Sequence, residues 1–172
     1  ASLVDARGPN RLAAVSRRRG RAAVAVVELS AGEVDVVACA QEDLGATLAS
    51  FRPSEVLVPD RLFGDEGAKG ALDGSGGVVQ ALPQALAEPA GARARVERLY
   101  GVASLDGYGA FEGCEISALG LIAAYLETTQ AGKVPALSPP RRSGDSGYLA
   151  IDPATRLSLE IDRTQRGERE GS

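Results

Sequence analysis

Glu42, Asp43 and Asp60 are the acids whose positions raise a question of chemistry: two open a helical segment and the third follows a short apolar run. Hydrolysis of a phosphodiester by paired cations needs several carboxylates converging on ions roughly 4 Å apart. These acids alone offer partial ligands. Each also has a simpler role, as a turn residue or as a helix N-terminal acid stabilised by the dipole. Histidine is absent, which removes Ser-His-Asp and Cys-His catalysis, most zinc sites and the usual general base near neutral pH. Cys39 and Cys114 lie far apart without ligand-type spacing and read as small buried hydrophobes. A phosphate-binding loop needs Gly, four residues, then Gly-Lys and a hydroxyl residue. "GDEGAKGA" (64–71) places Lys69 after Ala and before Gly, and "GYGAFEG" (107–113) has no lysine, so both read as ordinary loops. No catalytic, metal-binding or cofactor-binding constellation survives this search.

The elements that would have to position such groups follow from the apolar pattern. Residues 12–16, 22–29 and 33–39 read as strands, and the short links "RRRGR" and "SAGE" between them allow only an antiparallel meander. Leu44, Leu48 and Phe51 mark a short helix ended by Pro53, and "EVLVP" (55–59) is a buried strand reached through it, hence parallel to one of the first three. Residues 64–77 are glycine-rich and polar and read as a surface loop; 78–82 is a further strand candidate. Pro89 to Tyr100 reads as a helix with Ala92, Val96 and Leu99 inward, its arginines mostly outward, and Gly101 as terminator. A longer helix runs from about 114 to 131, and "SPPRRSGDSG" (138–147) reads as a linker. In "SGYLAIDPATRLSLEI" (146–161) a strand runs into a helix capped by Asp152 and Pro153.

This order predicts an α/β fold: a ribonuclease-H-like mixed sheet, with a three-strand antiparallel meander followed by parallel strands, flanked by helices. Enzymes of that architecture carry an essential Asp in the middle of the first strand. Here that strand is "LAAVS", so a metal-dependent nuclease with a degenerate site is the weaker alternative. The net charge of −4 argues against a grip on nucleic-acid backbone by this chain alone. The opening "ASLVDARGPN" shows no signal peptide, and no apolar run approaches the roughly 20 residues of a membrane span. The composition is that of a soluble, cytosolic protein.

Five stretches in fixed order carry a more specific likeness: "ELSAGE" (28–33), "RPSEVLVP" (52–59), "YGVASLDGYG" (100–109), "LETTQAGKVP" (126–135) and "IDPATRLSLEIDRTQRGEREGS" (151–172). Together they resemble the middle of the MutS family of bacterial mismatch-repair proteins. The chain departs from the family pattern at Glu28 and Ala31, where Asp and Thr are usual, and at Leu157-Ser158, where Arg-Asn is common. The resemblance implies that residues 1–144 are the connector domain, ribonuclease-H-like and non-catalytic, and that 145–172 are the first strand and helix of the core domain. It implies a cytoplasmic, DNA-associated parent, an ATPase using ATP and Mg outside this segment and a homodimer on mismatched DNA. The connector would couple mismatch binding to that ATPase and dock MutL. Partner contacts are then expected on the outward faces of the 89–100 and 114–131 helices, at Arg95, Arg98, Glu127, Thr128 and Gln130; a merely solvated face is the competing reading. A third possibility is an independent interaction domain that borrowed the fold.

Overall fold

The computed structural model of the chain describes residues 11–130 and 136–143. Strands β1 (Arg11–Arg18), β2 (Arg21–Glu28) and β3 (Glu33–Ala40) form the expected antiparallel meander. The β1–β2 link is a two-residue turn in which Arg19 and Gly20 both have positive φ (53° and 81°), the hand that matches strand twist. At the β2–β3 link the Glu28 carboxylate accepts hydrogen bonds from the Ser30 hydroxyl (2.8 Å) and the Ala31 amide (2.7 Å), so glutamate still closes this turn.

Helix α1 (Leu44–Phe51) ends at Arg52 in the left-handed region, immediately before Pro53. Strand β4 (Glu55–Pro59) then runs parallel to β1, with Ala14 opposite Leu57. A short α2 (Asp60–Phe63), α3 (Glu66–Asp73) and β5 (Val78–Leu82) follow, with β5 parallel to β4. Helix α4 (Pro89–Tyr100) starts on its proline and stops at Gly101, whose φ is 69°. Helix α5 (Gly113–Thr129) crosses the sheet, and β6 (Arg141–Ser143) adds a last parallel strand beside β3. The sheet order is β5-β4-β1-β2-β3-β6. Its first five strands give the ribonuclease-H-like arrangement that the element order predicts.

Helices cover both faces, which is why β1 and β2 read as unbroken apolar runs and not as alternating ones. One face buries Ala14, Ala23, Ala25, Val27 and Leu57 under α4 and α5. The other buries Val15, Val24, Val56 and Val58 under Leu48 of α1 and Leu72 of α3.

Two expectations need correction. Residues 66–73 are helical, although the stretch reads as a loop. The Asp65 carboxylate caps the helix by accepting from the Gly67 amide at 2.9 Å. Ala68 and Leu72, one turn apart, are buried, and that burial outweighs the roughly 1 kcal/mol that each helical glycine costs. The second correction is β6, three residues of ordered sheet inside the expected linker. Residues 146–161, read as strand and capped helix, lie outside the described residues.

Candidate functional site

The nuclease-like position is chemically bare. Ala13, Ala14 and Val15 fill the centre of β1, all wholly buried, where a metal-binding enzyme of this architecture would carry its carboxylate. Asp60 opens α2 at the end of β4 and is exposed. Glu42 and Asp43 lie in the single 3-10 turn ahead of α1. Among the described residues no group of three or more Asp, Glu, Cys or His side chains is placed to hold a cation. Cys114 is buried and Cys39 half-buried, and both thiols are free. Burial, reinforced by the nearby Glu112 carboxylate, pushes the Cys114 thiol up to about 11, which leaves it protonated and unreactive at neutral pH.

The five residues expected to face a partner are placed unevenly. Arg98 and Glu127 are exposed and pair across the α4–α5 seam at 3.6 Å. Thr128 and Gln130 are exposed at the end of α5; the Thr128 hydroxyl donates to the Ala124 carbonyl at 3.1 Å, and the Gln130 amide caps the Leu126 carbonyl. Arg95 is different. It is half-buried, and its Nη1 donates to the Leu86 carbonyl at 3.1 Å, so it clamps the segment before α4 to that helix. Nor is α5 a helix with one outward stripe: every residue from Cys114 to Ala124 is buried, between the sheet on one side and α4 on the other. Its only exposed surface is the last turn.

The most constrained polar cluster sits at the opposite end of α5, and sequence reasoning missed it. Glu112 and Glu115 form a capping box: the Glu112 carboxylate accepts from the backbone of Glu115, and Glu115 Oε1 accepts from the Glu112 amide at 2.7 Å. Glu112 also receives a two-pronged guanidinium from Arg21 on β2, at 3.2 and 2.7 Å. Glu115 has no exposed surface, and Arg142 of β6 donates Nε to it at 3.0 Å. The usual N-cap signal is Ser, Thr, Asp or Asn, so a glutamate cap escapes notice. The spacing Glu112-x-x-Glu115 was the available clue.

The two carboxyls respond to this cluster in opposite directions. The Arg21 guanidinium holds Glu112 below its ordinary value, whereas burial pushes Glu115 up despite the hydrogen bonds from Glu112 and Arg142. As pH falls, Glu115 therefore takes its proton before an exposed glutamate does, and Glu112 after one. The stability that the Arg21–Glu112 fork supplies is complete above the unfolded value of 4.5 and is lost as pH falls through the lower folded value. For Glu115 the sign reverses: its contribution is complete below 4.5 and is lost as pH rises through the raised folded value. Carbon-13 titration of the side-chain carboxyls checks this, with the Glu115 midpoint expected above that of exposed glutamates and the Glu112 midpoint below. Midpoints shifted the same way would refute the assignment.

The comparisons with known proteins agree with one another. The family described as MutS domain II matches residues 10–138. The DNA mismatch repair protein MutS of Caulobacter vibrioides is 59% identical over 170 residues, covering 99% of this chain and 19% of that protein. MutS of Caulobacter sp. strain K31 is 57% identical over the same length, and MutS of Azorhizobium caulinodans 39% identical over 177 residues. The chain thus spans about a fifth of the length of these curated relatives. Among solved structures, T. thermophilus RuvC in complex with a Holliday junction substrate aligns with a TM-score of 0.43 at 15% identity, over 74% of this chain and 99% of that one. The sheet order, not that alignment, assigns the fold. With a domain match over most of its length and close relatives spanning nearly all of it, this chain belongs to the MutS family and carries its connector domain.

Proposed function

We propose that the chain acts as a non-catalytic coupling and docking module of a mismatch-repair ATPase. In this reading residues 1–144 form the connector, 145–172 begin the core domain, and mismatched DNA, ATP and Mg bind elsewhere in a cytoplasmic, homodimeric parent. The observation that carries it is the family match across residues 10–138, on a fold whose first strand offers only small apolar side chains where a catalytic acid would stand. The MutL-docking surface is the exposed end of the α4–α5 seam, at Arg98, Glu127, Thr128 and Gln130. Arg95 supports that seam from within, through its bond to the Leu86 carbonyl.

The test uses the full-length parent with Arg98→Ala, Glu127→Ala and Gln130→Ala combined. The Arg98–Glu127 pair is solvent-exposed, with side-chain exposures of 65% and 40%, so its loss costs at most about 1 kcal/mol and the fold survives. MutL recruitment to mismatched DNA is expected to drop at least tenfold, while mismatch affinity and melting temperature hold. Unchanged recruitment would discard this surface.

A further inference from the structure

We propose that residues 136–143 form a releasable strap, which docks on the β3 edge and detaches while the remaining five strands and both cores stay folded. The anchors of this segment differ in kind from those of the body. The Ser138 amide donates to the Gly32 carbonyl at 2.7 Å, and the Tyr100 hydroxyl donates to the Ser138 carbonyl at 2.8 Å. Arg141 forks onto Asp35 at 3.0 and 3.1 Å and reaches Glu33 at 3.9 Å. Arg142 meets the buried carboxylate of Glu115. Apolar support is limited to Pro140, which is buried, and Leu137, which is partly buried against the α4–α5 core.

Pairing to the sheet is equally short. Strand β6 meets β3 at three positions, Asp35, Val36 and Val37, whereas β2 meets β3 along eight. A segment held by three register pairs and a few polar anchors opens at lower free energy than central strands buried on both faces. Its release leaves the β1–β2–β3 meander, β4, β5 and the helices with every apolar contact except those to the strap. The cluster at the head of α5 keeps the docked state specific. Glu115 is buried whether or not the strap is in place near it, so a docked Arg142 supplies a cation that only this register delivers.

Coupling between distant sites needs an element with two discrete arrangements, and the strap is one. Because the chain continues directly from Ser143, docking or release of the strap alters where the following residues leave the body. This deepens the coupling role proposed above and rests on it.

Hydrogen exchange of the 172-residue chain at pH 7 is the test. The amides of Ser138 and of residues 141–143 are expected to exchange at least tenfold faster than the central amides of β1 and β2. Arg142→Gln strands the Glu115 carboxylate and should accelerate those strap amides about tenfold more, leaving β1, β2 and β4 unchanged. Glu115→Gln removes the same ion pair without stranding a buried charge, so it should accelerate them less. Strap amides that exchange together with β1 and β2, in the unaltered chain or in either variant, would overturn the proposal. A separate measurement distinguishes failure of the coupling role: if the strap releases as expected but full-length Arg142→Gln keeps its mismatch-stimulated ATP hydrolysis, the strap stands and the coupling role falls.

Discussion

Gly120→Val is expected to lower the unfolding free energy of the domain by about 3 kcal/mol, at the upper end of the cost of overpacking a core. Gly120 sits in the buried middle of α5, where that helix meets α4. A Cβ placed there would collide with the Cβ of Ala92 and come within 2.8 Å of its Cα. That clash is with backbone and with an alanine, neither of which can rotate away. The helices would have to separate, and separation would open gaps around Ala92 and Val96, both fully buried. A urea midpoint that falls while the slope is unchanged would locate the loss in the folded state. Pairing provides a sharper check. Gly120→Ala already carries the clash, and Ala92→Gly removes the offending atom at a helix-propensity cost of about 1 kcal/mol. The double variant should then be more stable than the sum of the two single losses by over 1 kcal/mol. Additive losses would mean that the helices do not touch at this point.

That contact also illustrates where a single sequence stops being informative. The strands and helices are visible along the chain because apolar period and turn residues report local geometry. The three meander strands, the buried β4 run, and the Pro89 start and Gly101 stop of α4 all lie where those signals place them. A glycine in a helix, by contrast, reads as a weakness; its use depends on Ala92, which lies 28 positions away in the chain and directly opposite in space. The same holds for α3. Its glycines outweigh its pattern until the buried partners of Ala68 and Leu72 are known. It holds again for the ion-pair cluster, because Arg21, Glu112 and Arg142 come from three separate regions of the chain and only the closed sheet unites them. Of the partner-facing residues, Arg98 and Glu127 were legible as exposed charges. Arg95 was not legible as a clamp, since nothing in its local sequence points to the Leu86 carbonyl.

Leu57→Ala should cost about 3 to 4 kcal/mol, as deletion of a fully buried leucine does where neighbours cannot close the gap. Leu57 lies in β4 and has no exposed surface. Its side chain points into the α4–α5 core while Val56 and Val58 on either side point into the other. Across the ladder its partner is Ala14, and Ala23 and Ala25 belong to the same core. This face of the sheet is therefore paved with short side chains that cannot swing into the vacated volume. The helices above it cannot sink either, because α5 is already pressed against α4 at Gly120. The cavity should thus stay open, and its cost should approach the upper half of the range for such deletions. Val78→Ala serves as the control: Val78 lies in β5 on the sheet edge, is 71% exposed, and should shift stability by less than about 0.5 kcal/mol. Hydrogen exchange adds a directional check, since Leu57→Ala should loosen the amides of α5 before those of α1, which packs on the other face. Equal losses for Leu57→Ala and Val78→Ala would mean that the α4–α5 core is not packed as described.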